Sequence, residues 1–197
     1  MSTICTIVKV PGIVPQIKQA KAKGCWATVT TILISWLEQT RYTVDDIVDR
    51  LGEEFLRMYK DETGLPASKI NDWLYTTGFV MESPQHYSQG KIHQILKDFG
   101  PIVFTTSTDK QSLHLTHARV IIGMQNSDGP NNNGECTVSN SDSTEIVGID
   151  PATGSVITLP FSVFCKEIDN KKPDDCELFA QVIHLATQNM FINNLKK

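Results

Sequence analysis

The sequence predicts an α+β fold, with helices in its first half and strands in its second. Two observations carry this. Up to Phe99 the apolar residues recur at the three- and four-residue spacing of a helix face, whereas from Ile102 the apolar runs are short, β-branched and bounded by Gly, Pro, Asn and Asp. A length of 197 residues suits one domain over 1–197, its helical part about 18–100 and its β part about 101–187. With 40% hydrophobic and 20% charged residues, the chain is neither a disordered tail nor a fibre.

The first helix is expected to open at Cys25, after Gly24, and to carry Trp26, Val29, Leu33, Trp36 and Leu37 on one inward face. A second is expected near Thr43, where Thr43-Val-Asp-Asp46 resembles a capping box with Asp in place of Glu; Ile47, Leu51, Phe55 and Met58 form its inner side and Gly52 a break. A third starts at Ser68 as N-cap, carries Ile70, Trp73 and Leu74, and stops by Gly78. A fourth, from about Gly90 to Phe99, turns Ile92, Ile95, Leu96 and Phe99 inward and ends at Gly100-Pro101. Strands follow at Ile102–Thr106, Ala118–Met124, Glu145–Ile149 and Ser155–Leu159, the last two a hairpin around Asp150-Pro-Ala-Thr-Gly154. Gln125–Ser143 reads as a polar loop between strands, Phe161–Ile168 as a short helix, and Leu178–Leu185 as a final strand before a fraying end.

The net charge of −4, with Lys and Arg scattered, argues against a nucleic-acid partner. Ala27–Leu37 is too short to span a bilayer, which takes about 20 apolar residues, and the N-terminus lacks the pattern of a cleaved signal. The expectation is a protein without a membrane partner, either cytoplasmic or exported by a signal-independent route. Five cysteines, Cys5, Cys25, Cys136, Cys165 and Cys176, leave at least one thiol unpaired within the chain. No zinc spacing appears among them and the five histidines, so no metal site is expected. Apart from Cys25, the cysteines allow up to two disulfides in an oxidising compartment. Cys136 reads as exposed and Cys165 as core.

Cys25 has the position of a nucleophile. At a helix N-terminus, unpaired N–H groups and the helix dipole favour a thiolate; the plainer reading is a small buried hydrophobe. Gln19, six residues upstream, could donate its amide to the oxyanion that thiolate attack creates, together with the Cys25 N–H, or could be an ordinary loop glutamine. His117 heads an apolar strand and suits a general base, with His114 a rival three residues earlier. Asp150 ends a strand before Pro151, where it either initiates a turn or accepts the second ring N–H of the histidine. If the two strands are antiparallel neighbours, the ends bearing His117 and Asp150 meet.

Gln19-x5-Cys25-Trp26-Ala27, His117-Ala-Arg-Val and Asp150-Pro resemble the papain-like cysteine peptidases, nearest to the compact bacterial avirulence-type effectors and the peptidases that trim double-glycine leaders. Gly64-Leu65-Pro66, Ile95-Leu-Lys-Asp-Phe-Gly-Pro101 and Gly123 fit the effector-type pattern, and the likeness spans about Val14 to Phe164. It implies a helical left lobe led by the nucleophile helix, an antiparallel β right lobe, and an active site in the cleft between them. Cys25 then matches the nucleophile, His117 the base and acid, Asp150 the residue orienting His117, Gln19 the oxyanion donor, and Trp26 a packing residue. Lys23-Gly24 before Cys25 departs from the Asn-x or Ser-x of many bacterial members, and Lys21 and Lys23 either help acidify the thiol or are solvated.

The activity so implied is a cysteine peptidase acting on peptide or protein substrates through a thioester, with no cofactor. It would be a bacterial effector or toxin, controlled by delivery or by an inhibitor or immunity protein rather than by a pro-segment. The same triad could instead serve a peptidoglycan or isopeptide amidase or an acyl transferase. The remaining alternative is a silent binding module on the same fold.

Overall fold

A computed structural model gives the fold for residues 4–107, 116–138, 143–169 and 182–186. In chain order the elements are β1 (Cys5–Lys9), α1 (Cys25–Leu37), α2 (Val44–Arg50), α3 (Glu53–Lys60), a 3-10 turn (Ala67–Lys69), α4 (Ile70–Thr77), β2 (Phe79–Met81), α5 (Gln89–Phe99), β3 (Ile102–Ser107), β4 (Thr116–Asn126), β5 (Thr144–Asp150), β6 (Ser155–Pro160), α6 (Phe161–Asp169) and β7 (Val182–Leu185). The α+β class is as expected.

Among the described residues seven antiparallel strands form one sheet, six in the order β2-β7-β3-β4-β5-β6 and β1 beside β4 off that path. The long strand β4 pairs with β5 on one side; on its other side β3 pairs with its first half and β1 with its second. The helices-then-strands division is therefore incomplete, because β1 and β2 come from the first half of the chain. β2 is only three residues long, β1 stands apart from the other strands in sequence, and each is held by its partner in the sheet. At its centre, over β3 and β4, the sheet is buried on both faces. Phe104 meets Phe164 of α6 edge-on at 5.3 Å. Val103, Val120 and Ile149 point the other way by the pleat, are also buried, and α1 and α5 pack on β4.

Helix α1 is buried almost all round, from Trp26 to Trp36, and not along one stripe only. What permits this is the pairing of its hydroxyls. Thr28, Thr30 and Thr31 donate to the carbonyls of Gly24, Trp26 and Ala27, four residues back, and Trp73 Nε1 donates to Thr30 Oγ1 at 3.1 Å. No polar group of these threonines is then left unsatisfied in the core. Trp26 packs on Phe55, as its reading as a packing residue implies.

The second helix is split where Gly52 stands. Its φ of +103° ends α2 and starts α3. The capping box is present with both bonds, Thr43 Oγ1 accepting from the Asp46 N–H and the Asp46 carboxylate accepting from the Thr43 N–H. Ser68 is not a cap. Extended Pro66 starts a 3-10 turn that takes Ser68 into it, and α4 begins at Ile70 without a side-chain cap. Gly78 closes α4 in the left-handed conformation, and Ser88 caps α5. At Gly100 a side chain would strike the Trp36 ring, its Cβ falling 2.2 Å from the nearest ring carbon. The loop between β4 and β5 is exposed over residues 130–136, while 139–142 lie outside the described residues. So do His114, Cys176, the chain end and the first residues expected in the last strand.

Cys5 of β1 is disulfide-bonded to Cys136 in the β4–β5 loop, across a sequence separation of 131 residues with Cα atoms 5.7 Å apart. A cross-link closing so long a loop restricts the unfolded chain strongly, with a typical effect of about 2–4 kcal/mol. Cys5→Ser is expected to lower stability by about that amount in non-reducing urea unfolding. Dithiothreitol should bring wild type down to the variant and leave the variant unchanged; equal wild-type stability with and without reductant would contradict the cross-link.

Candidate active site

Cys25 is the first residue of α1, after Gly24 as N-cap. Among the described residues no side chain caps this end, and its first turn holds no acidic residue, so the positive end of the helix dipole favours a negative charge on the half-buried thiol. The thiol also hydrogen-bonds the His117 side chain and meets the backbone N–H groups of Ala118 and Trp26.

His117 and Asp150 are brought together by strand register. Val120 lies opposite Ile149 in the β4–β5 ladder, so Asp150 falls opposite Arg119, with His117 the diagonal neighbour on the same face. His117 Nε2 is 2.7 Å from Asp150 Oδ1. That leaves Nδ1 as the ring nitrogen for the thiol. Asp150 Oδ1 also accepts from the Ala152 N–H at 2.8 Å. Both side chains are little exposed, at 12% and 13%.

Burial alone would push the Cys25 thiol up, but the hydrogen bonds from His117 and Ala118 and the charge of His117 outweigh it and leave the thiol below its ordinary value. Burial likewise opposes a charged His117, yet its bonds to Cys25 and Asp150, and their charges, hold its pKa above the usual histidine range. Asp150, pushed up by burial, is brought below the usual carboxylate range by His117, the Ala152 N–H and Arg119. All three shifts favour a thiolate–imidazolium–carboxylate row. Cys165 shows the contrast: burial and nearby Asp169 push it up to about 11.

Gln19 comes to the same place by another route. Its N–H donates to Pro151 O at 2.8 Å, beside Asp150. The turn at Gly154, with φ +73°, closes so tightly on the Lys18 segment that an added Cβ would sit 2.8 Å from Lys18 Cβ. Gln19 Nε2 donates to the carbonyls of Lys21 and Ala22, both at 3.1 Å, bracing the turn that leads into Cys25. Its Oε1 is buried without a partner among the described residues. Lys21 turns away to Glu62 and the Tyr59 ring.

Two residues not singled out from the sequence join the cluster. Arg119 Nε donates to Asp150 Oδ2 at 3.0 Å and its Nη1 to Glu167 Oε2 of α6 at 2.8 Å. Arg119 stands two residues after His117, hence on the same strand face, and that spacing is a signal the sequence did hold. Glu167 left none. The described residues hold no group of His, Cys, Asp and Glu that could bind a metal. A cavity of about 270 Å³ lined by Ile34, Leu37 and Phe79 lies at the far end of α1 from Cys25.

Compared with known protein families, residues 8–169 match the family described as papain-like cysteine protease AvrRpt2. The chain belongs to that family. It is a papain-like cysteine protease, a hydrolase that acts on protein substrates. A comparison with curated proteins returned no match. The match to the AvrRpt2 family runs from β1 to the last residue of α6 and so takes in Gln19, Cys25, His117 and Asp150.

Iodoacetamide is expected to alkylate Cys25 at pH values where Cys165 stays protonated and unreactive, with the two separated by peptide mapping. In His117→Ala the Cys25 profile should move to higher pH, because burial then acts on the thiol without the imidazole against it. Coincident wild-type profiles for Cys25 and Cys165 would contradict the assignment of the acidified thiol.

Proposed function

We propose that this protease cleaves amide bonds with Cys25 as nucleophile, His117 as general base and then acid, and Asp150 as the carboxylate that orients His117. The observation that carries the reading is the continuous chain from thiol to imidazole to carboxylate, closed by the 2.7 Å contact of His117 with Asp150. In the resting pair His117 holds the proton and Cys25 is the thiolate. The sulfur attacks the substrate carbonyl, forming a C–S bond and an oxyanion. His117 gives its proton to the leaving amine as the C–N bond breaks, leaving a thioester. Neutral His117 then takes a proton from water as it attacks, and the collapsing intermediate expels the thiolate. Asp150 keeps Nε2 protonated and Nδ1 toward the sulfur throughout.

The oxyanion would be held by the Cys25 N–H, at the positive end of α1, and by Gln19 Nε2. In this reading one Gln19 N–H exchanges its bond to the exposed Ala22 carbonyl for the oxyanion, while the other keeps the Lys21 carbonyl. The substrate then lies in a cleft with the start of α1 on one wall and the ends of β4 and β5 on the other. We further read the protein as a bacterial effector exported by a signal-independent route; the Cys5–Cys136 disulfide supports a destination outside a reducing cytoplasm. Control by a partner inhibitor fits such an exported enzyme.

Cys25→Ala and His117→Ala are each expected to reduce cleavage by on the order of 10⁴-fold or more, and Asp150→Asn by a smaller factor, while the fold survives. The measurement is a cleavage-site profile on a denatured proteome, with release of muropeptides from sacculi as the second arm. Cleavage retained in Cys25→Ala would overturn the assignment, and muropeptide release without protein cleavage would move the substrate to cell wall.

A further inference from the structure

We propose that Arg119 is a positioning residue for this site: clamped by Glu167 of α6, it holds the Asp150 carboxylate in the one orientation that presents Oδ1 to His117. The proposal rests on the reading of Cys25, His117 and Asp150 given above and adds a member to it.

Three donors meet Asp150. Oδ1 takes His117 Nε2 and the Ala152 N–H, and Oδ2 takes Arg119 Nε. His117 and Arg119 come from β4 and Ala152 from the turn after β5, so the three fix the plane of the carboxylate. Without Arg119, Oδ2 has no donor from the sheet, and the group is free to turn about its last bond and lose His117. Arg119 is itself held, because Nη1 is paired with Glu167 at 2.8 Å. Glu167 also answers a problem of charge. A lone guanidinium so near an imidazolium would oppose it, and a carboxylate on the far side reduces that cost. From Cys25 through His117, Asp150 and Arg119 to Glu167 the charges alternate in sign. The pairs are partly shielded, with Arg119 at 21% and Glu167 at 32% side-chain exposure, so the effect comes more from geometry than from ion-pair strength. The packing beneath is rigid: Phe104 and Phe164, both fully buried, join β3 to the helix that carries Glu167.

The groups facing Asp150 are His117 and Arg119 from β4 and the Ala152 N–H of its own turn, with Glu167 of α6 behind Arg119. The test compares wild type with Arg119→Met, Arg119→Lys and Glu167→Gln. Iodoacetamide alkylation of Cys25 is followed against pH, and casein cleavage gives kcat and KM. In Arg119→Met, neutral-pH alkylation and kcat should each fall by up to on the order of 100-fold, the scale of a misplaced reacting group, with KM little changed. The alkylation profile should move to higher pH. Arg119→Lys should recover part of both, since it keeps the charge and one donor, and Glu167→Gln should lie between Lys and wild type. Arg119→Met matching wild type in alkylation profile and kcat, with its melting temperature unchanged, would overturn the proposal. So would a loss spread equally over KM and kcat that Lys does not restore. Should Arg119→Met fail to fold, Glu167→Gln decides by the same two readouts. Casein cleavage surviving in a Cys25→Ala control would instead defeat the underlying reading, while the alkylation profiles would still report on Arg119.

Discussion

The register of β4 against β5 is the constraint from which the site follows. With Val120 opposite Ile149, the first residues of one strand lie beside the last of the other, and His117, Arg119 and Asp150 share a face. A slip by one residue would turn Asp150 into the opposite face and separate it from the imidazole. The register is protected by burial on both sides, since Val120 and Ile149 are as deeply packed as Phe104 and Ile121 on the other face. Gly148 and Gly123 help: an added Cβ would fall 2.8 Å from Val120 O at the first and 2.7 Å from Val8 O at the second, so only glycine lets the neighbouring backbones approach. Chemistry at the strand ends is thus inherited from packing well away from them.

Helix α1 supplies the other half of the site. Because it is enclosed nearly all round, Cys25 cannot shift relative to β4 without disturbing the core. The turn before it is tied from two directions, to Pro151 through the Gln19 backbone and to the Lys21 and Ala22 carbonyls through the Gln19 side chain. One glutamine therefore links the approach to Cys25 with the turn after Asp150. This explains why a residue six positions before a cysteine and a residue in a distant hairpin belong to one unit.

Much of this was legible in the sequence, for identifiable reasons. Helices with caps and apolar spacing could be read closely, as at Cys25, Thr43 and Gly100, because their signals are local. The hairpin around Asp150-Pro151 and its neighbour at His117 could be read for the same reason. Strands β1 and β2 could not. Phe79–Met81 is too brief to read, and Cys5–Lys9, though its Thr6, Ile7 and Val8 favour a strand, lies far from the other strands in sequence; both pair with partners more than a hundred residues away. The full burial of α1 was hidden by its threonines, which look polar in sequence and pair internally in the structure. Arg119 was within reach, two residues along a strand from a candidate base. Glu167 was not, since its role depends on how α6 lies across the sheet.

The enclosure of α1 has one more consequence. Cys25 and His117 are far apart along the chain, and the sheet that joins them draws on β1 near one end and β7 near the other. Such long-range topology leaves no short fragment able to assemble the three groups. A polypeptide still extended would carry an ordinary cysteine with neither imidazole nor helix end beside it. On the reading proposed above, the reactivity of that sulfur is a property of the folded molecule alone.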